Sequence, residues 1–215
     1  MLVGERMKSP VITVTPETSV HDALHLMRTE HIRRAPVVNH GRLVGIVSMK
    51  DLLNASPSQA TTLSVWELNY LLSKLTVASC MSHKVLTISE DLPIEEAARI
   101  MADQRIGGLP VLRGEDVVGI ITETDLFKVL LELMGARDAG VRCEVRMHDE
   151  PGQLAALTGA LASAGGNIIA LGTFAGDAPG HSNITFKVDG LSLTEVRACV
   201  TPLVERVLDV RESHP

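Results

Sequence analysis

The feature that most constrains this chain is an internal duplication. Residues 7–53 align without a gap onto residues 81–127 at a constant offset of 74, Met7 falling on Met81. Thr13 then meets Thr87, Ala23 meets Ala97, Met27 meets Met101, Ile32 meets Ile106, Pro36 meets Pro110, Gly45 meets Gly119 and Asp51 meets Asp125. Most other aligned positions exchange one aliphatic residue for another, as Val20 for Ile94 and Val47 for Ile121, which keeps the core faces while the surfaces diverge. The two copies are therefore expected to share one fold. A unit of about 50 residues buries too little surface to stand comfortably alone, so the copies should pack on each other.

Within a copy, Thr18 or Ser19 can cap a helix carrying Val20, Ala23, Leu24 and Met27 at helical spacing, and Ile94, Ala97, Ala98 and Met101 repeat the pattern. Residues 35–38 and 43–47 flank the turn-like Asn39-His40-Gly41-Arg42 and read as two short strands, matched by 110–112 and 117–121. Ser48 and Asp51, like Thr122 and Asp125, have the three-residue spacing of a capping box opening a second helix. Each unit reads as helix, two strands, helix. The units are assigned to residues 1–60 and 77–135. Between them a polar stretch runs into a predicted linking helix over 61–76, with Trp66, Leu68, Leu71, Leu72 and Leu75 at largely helical spacing.

Beyond Gly135 the repeat ends and a different pattern fills residues 140–215. Val141, Cys143 and Val145 alternate with Arg142, Glu144 and Arg146 as in a half-buried strand. A helix with Leu154, Leu157, Ala160 and Leu161 on one stripe follows Pro151-Gly152. Strands are expected over 168–174, 184–188 and 207–210, with a second helix through Leu193, Val196, Val200, Leu203 and Val204. The order strand, helix, strand, strand, helix, strand suits one antiparallel sheet with both helices on one face, the ferredoxin-like arrangement. At about 75 residues the unit is small, so its open face or edge strand is expected to pair with a second copy, giving a homodimer. The fold class is α+β.

Composition narrows the function. A formal charge of −6 and 2% aromatic residues leave neither the cationic excess nor the stacking rings of a nucleic-acid binder. Cys80, Cys143 and Cys199 are odd in number and far apart, which reads as reduced, buried thiols in the cytoplasm. No export signal or stretch of about 18 apolar residues is seen, so no membrane association is expected. His21 and His25 have metal-ligand spacing without a third ligand and lie opposite the apolar stripe, so a solvated face is the preferred reading and no metal is assigned. No phosphate-loop, Rossmann or nucleophile-elbow motif occurs, and no catalytic residue is assigned.

The segments Gly45-Ile46-Val47-Ser48-Met49-Lys50-Asp51 and Gly119-Ile120-Ile121-Thr122-Glu123-Thr124-Asp125, with Ile32-x-x-x-Pro36-Val37 and Ile106-x-x-x-Pro110-Val111, resemble the signature of the CBS-domain family over residues 1–134. Asp149 to Leu154 and Ala164 to Ile168 resemble an ACT domain, and the whole order is similar to that of acetoin-utilisation accessory proteins. The resemblance implies a non-catalytic regulator that takes an adenosine nucleotide (AMP, ADP, ATP or a relative) in a cleft between the repeats and acts on an unknown target protein. It implies that Asp51 or Asp125 holds ribose hydroxyls and that Ser48 or Thr122 reaches phosphate. The capping-box reading of both pairs stands beside this, and the two roles can coexist. Arg34, helped by Arg33 or Lys50, is expected to meet phosphate in the first site; the alternative is a solvated basic pair. By the same resemblance, Lys84, Val85 and Leu86 contribute backbone to the first site, and Pro10, Val11 and Ile12 to the second. There Gly107 and Gly108 replace Arg33 and Arg34, removing a phosphate partner and leaving room for a bulky ligand. Asp149, Gly152 and Asn167 match ACT effector positions for a small metabolite such as an amino acid, against a reading of Pro151-Gly152 as a turn and Asn167 as part of a helix stop. An enzyme using either cleft as an active site, and an adaptor with empty clefts, are the competing readings.

Overall fold

The computed structural model describes residues 1–56, 70 and 74–214. Most of the linking helix expected over 61–76, including Trp66, Leu68, Leu71 and Leu72, lies outside the described residues. The chain divides into two compact units, Met1–Leu126 and Phe127–Pro215.

In the first unit each copy folds as its pattern requires. Helix α1 (Val20–Thr29) begins at Ser19, whose hydroxyl accepts the Asp22 N–H, and it buries Val20, Ala23, Leu24 and Met27. Strands β1 (Arg34–Asn39) and β2 (Arg42–Ser48) form an antiparallel hairpin, and α2 (Met49–Ala55) follows directly. The second copy repeats this with α3 (Ile94–Gln104), β4 (Gly108–Arg113), β5 (Asp116–Thr122) and α4 (Glu123–Leu133). It adds a two-residue strand, β3 (Ile88–Ser89), parallel to β4. The first copy makes the equivalent contact as a single parallel bridge between Val14 and Val37. Both hairpins shift register at the same place, after Val37 and after Val111. Both copies also hold a residue at positive φ after the first helix, His31 at 52° and Arg105 at 54°. The duplication thus extends to backbone details where side chains differ.

The copies interlock through their leading segments. Val77 N–H donates to Thr18 O (2.8 Å), and Val77 is fully buried in the core formed by Val20, Met27, Val37, Val47 and Leu52. Reciprocally, Val3 N–H donates to Leu92 O at 2.9 Å. Further in, Ser82 pairs with Ile46 and Lys8 with Ile120 as antiparallel bridges. These crossings explain the motif glycines. A Cβ on Gly45 would stand 2.7 Å from Met81 Sδ and 3.1 Å from Ser82 O, and one on Gly119 would run into Met7 Sδ. Only a residue without a side chain lets the other copy's leading segment lie against the hairpin.

The second unit has the expected strand and helix order: β6 (Gly140–His148), α5 (Gln153–Ser163), β7 (Asn167–Ala175), β8 (His181–Asp189), α6 (Leu193–Val200) and β9 (Arg206–Ser213). The four strands form an antiparallel sheet in the order β7-β8-β6-β9. Val141, Cys143, Val145, Ile184, Phe186 and Val188 pack with Leu157, Leu161, Val196 and Val200 of the helices. The second helix is shorter than its apolar spacing suggests. Pro202 falls in a 3-10 turn over Thr201–Leu203, so Leu203 and Val204 lie beyond the α-helix.

Strand β8 is buried on both sides, not only on the helix side. Lys187 is 4% exposed and its Nζ donates to Gly135 O (2.6 Å), Asp138 O (2.9 Å) and Ser213 Oγ (2.8 Å). The segment after α4 therefore covers part of the sheet face that the sequence leaves open, and the lysine satisfies carbonyls stranded where that helix stops.

Candidate functional site

Residues from both copies converge on one cleft of ≈ 210 Å³ in the first unit. The first copy contributes Arg34 from the start of β1 and Ile46 and Ser48 from β2, with Asp51 from the first turn of α2. The second contributes Ser82, Lys84, Val85 and Leu86 from its leading segment, with Ile106, Gly107, Gly108 and Pro110. Strand pairing places Arg34 opposite Ser48, so the cation and the hydroxyl enter the cleft side by side. Of the residues assigned to a first site, Arg34, Ser48, Asp51, Lys84, Val85 and Leu86 are brought together. Arg33 and Lys50 are exposed and do not line the cleft.

The local chemistry follows from the capping box. Ser48 N–H and Oγ–H both donate to Asp51 Oδ2, at 2.9 and 2.6 Å, while Asp51 N–H donates back to Ser48 Oγ at 3.3 Å. One carboxylate oxygen is thus committed to holding the helix start. Oδ1 makes no hydrogen bond among the described residues and remains an acceptor for a ligand hydroxyl. The capping role and a ligand role use different oxygens. Around this polar corner Ile46, Val85, Leu86, Ile106 and Pro110 form an apolar wall, and Arg34 and Lys84 supply positive charge.

Arg34 is seated by glycines from the other copy. Its guanidinium lies over Gly107, and a Cβ on Gly108 would stand 3.0 Å from Arg34 Cδ. Burial lowers the Arg34 proton affinity, and the negative charge of Glu123 opposes that effect. The room that Gly107 and Gly108 leave is therefore filled by the Arg34 side chain, not kept open for a bulky ligand in the second site.

The second set is not gathered in the same way. Pro10 and Val11 line a separate cavity of ≈ 490 Å³ with Val38, Gly41, Arg113 and Asp116, and neither Thr122, Asp125 nor Ile12 lines it. Thr122 and Asp125 do form their capping contacts, Thr122 N–H and Oγ1–H donating to Asp125 Oδ2 at 3.0 and 2.7 Å. A groove of ≈ 430 Å³ runs along α1 between Thr13, Thr18, Asp22 and Thr29, with neither lysine nor arginine in its lining.

In the second unit a cavity of ≈ 300 Å³ sits at one end of the sheet, lined by His148, Asp149, Glu150, Gln153, Thr173, Phe174 and Ser182 among others. Asp149 lines it; Gly152 and Asn167 do not. Gly152, at φ 93°, precedes α5 in a conformation that favours glycine. Asn167 pairs with Asp189 at the opposite end of the sheet from His148, which pairs with His181. Within one chain Asp149 and Asn167 are thus held a strand length apart.

Among the described residues no three His, Cys, Asp or Glu side chains converge as a metal site, and His21 and His25 are exposed. No described helix is long and apolar enough to cross a membrane.

Ile46 and Ser82 line the cleft although the sequence assigns neither a role in it. The signal for Ile46 and Ser82 lies in their bridge between the copies, which has no counterpart in local spacing.

Comparison with known proteins identifies both parts of the chain. The CBS domain family matches residues 3–58 and 77–132, and the TTHA0829-like ACT domain family matches residues 139–211. A CBS domain-containing protein of Dictyostelium discoideum is 32% identical over 136 residues, covering 62% of this chain and 94% of that protein. Several of the solved structures similar to this chain cover about three fifths of it. The CBS domain pair of protein MJ0100, in complex with 5′-methylthioadenosine and S-adenosyl-L-methionine, is 29% identical with a TM-score of 0.51, covering 60% of this chain and 95% of that one. CBSX2 in complex with AMP is 28% identical with a TM-score of 0.52, covering 61% and 97%. A Vibrio cholerae protein provisionally described as an acetoin utilization protein is 30% identical with a TM-score of 0.52, covering 64% and 98%. With the duplicated fold, the interlocked leading segments and the matches on both copies, the chain belongs to the CBS-domain family, carrying a tandem CBS pair followed by a C-terminal ACT domain.

Proposed function

We propose that this protein is a non-catalytic regulator that senses an adenosine compound in the cleft between Asp51 and Arg34. The observation that carries this reading is the convergence of Ser48, Asp51 and Arg34 from one copy with Lys84, Val85 and Leu86 from the other on a single cavity. The free Oδ1 of Asp51 accepts a ribose hydroxyl, the apolar wall takes the purine, and Arg34 faces the 5′ substituent. The adenosine ligands in the similar pairs of MJ0100 and CBSX2 support the class of ligand.

A ligand gripped by both copies binds one of their arrangements better than another, and so shifts the population between arrangements. We assign the output to the ACT domain and an unknown target protein. The ACT cavity beside Asp149 takes a small metabolite such as an amino acid, with Gly152 and Asn167 contributing across a homodimer. The edge strands β7 and β9 are the surfaces available for that pairing. Placement among acetoin-utilisation accessory proteins is supported by the domain order and by the Vibrio cholerae likeness. Three free cysteines, Cys143 buried, fit a reducing cytoplasm.

Titration calorimetry of the full chain with AMP, ATP and 5′-methylthioadenosine tests the reading. Asp51→Ala and Asp51→Asn should each weaken binding by tenfold or more while the melting transition stays cooperative, the Ala variant losing about 1 kcal/mol of capping. Unchanged affinity in both variants removes this cleft from consideration. Consumption of excess ligand by the pure protein would instead establish an enzyme.

A further inference from the structure

Glu123 has no part in the reading above, yet it stands at the cation of the cleft. It opens α4, and its N–H donates to Gly107 O at 3.3 Å. A Cβ on Gly107 would meet Glu123 Oε2 at 2.8 Å and Arg34 Nη2 closer still. A carboxylate oxygen and a guanidinium nitrogen thus flank the same point beside the cleft residue Gly107, Glu123 standing just behind the residues that line the cavity. Of the charged neighbours acting on Arg34, Glu123 has the largest influence, ahead of Arg33 and Asp51. The duplication does not repeat this arrangement, because the positions equivalent to Glu123, Gly107 and Arg34 are Met49, Arg33 and Gly108.

A negatively charged 5′ group approaching Arg34 meets Glu123 at the same time. For an uncharged 5′-methylthio group the carboxylate is nearly indifferent. For a triphosphate the repulsion acts on every charge brought near it, and the Coulomb cost grows with their number. We propose that Glu123 is a specificity-determining residue of the first cleft, discriminating against adenosine 5′-polyphosphates in favour of adenosine compounds with little net negative charge on the 5′ side. This rests on the adenosine reading above. Glu123 is exposed, so solvent and salt screen the effect, which is several-fold in size and not many orders of magnitude.

The test is calorimetry of the full chain with ATP and with 5′-methylthioadenosine, comparing wild type with Glu123→Gln at low and high ionic strength. The substitution should tighten ATP about five- to tenfold and move 5′-methylthioadenosine by less than about twofold, the difference shrinking as salt rises. An unchanged ratio of the two affinities, or an equal change in both, overturns the proposal. If wild type binds 5′-methylthioadenosine and loses it in Asp51→Ala while the ratio ignores Glu123→Gln, the charge discrimination alone has failed. If wild type binds neither compound, this proposal fails, and if it does not bind AMP either, the adenosine reading fails with it.

Discussion

The guanidinium of Arg34, on the first CBS copy, lies over the backbone of Gly107 on the second, so close that any side chain at position 107 would displace it. The contact joins the copies at the wall of the cleft and sets where positive charge stands for a ligand. Gly107 is not at positive φ, so its value is space and not backbone freedom.

Gly107→Ala therefore acts on the ligand more than on the fold. The colliding atoms, Arg34 Nη2 and Glu123 Oε2, are the far ends of flexible side chains, which can swing away at little cost, so stability should fall by less than about 1 kcal/mol. The displaced Arg34 no longer faces the 5′ group. Binding of AMP should weaken severalfold more than binding of adenosine, as calorimetry reads it. Equal weakening of both would show that Arg34 does not meet phosphate.

Lys187→Met keeps most of the side-chain volume and removes three donors. Gly135 O, Asp138 O and Ser213 Oγ lose their partner in a site where Lys187 is 4% exposed. The expected loss is about 2 kcal/mol or more in urea denaturation of the ACT unit, because buried carbonyls without donors are costly. A variant as stable as wild type would show that these carbonyls are reached by water.

Acid stability should depend on Asp209. Hydrogen bonds from Arg211 hold its carboxyl below the usual aspartate value of 3.8, and Arg142 adds to this. A depressed folded-state value means the stabilisation is fully present above that pH and is lost as pH falls through the lower folded value. Asp209→Asn should lower stability at pH 7 and flatten its decline below about pH 4. Melting curves between pH 2.5 and 7 check the sign, the wild-type and variant curves converging at the acid end.

Cys143 should be the slowest thiol. It is fully buried, and burial pushes its thiol up to about 12, so almost none is thiolate near neutrality. Cys80 and Cys199, expected from the sequence to be buried as well, are only partly so. With a thiol reagent at pH 8, Cys143 should react only as fast as the ACT unit opens and all three should react in denaturant. Rapid labelling of Cys143 in the folded chain would contradict this packing.

The helix-strand-strand-helix order of each copy was readable from periodicity because local spacing and burial agree. Val20, Ala23, Leu24 and Met27 recur on one face and are the residues buried. Ser48 with Asp51 was readable because a capping box is a short-range pattern. Lys187 was not: alternation along β8 marks it as the solvent side, and only the segment ending at Asp138 buries it. The shortened α6 had a visible sign in Pro202, which the apolar spacing of Leu203 and Val204 outweighed.

The linear order of residues was enough to establish the duplication, the element order and the two capping boxes, since each rests on interactions between near neighbours or on comparison of the chain with itself. Tertiary packing alone decided that the leading segments cross between copies, that the Gly107 and Gly108 space is filled by Arg34, and that Glu123 stands at the same point. Those contacts join residues far apart in sequence whose meeting depends on how two similar units fit together, and no local periodicity encodes that fit.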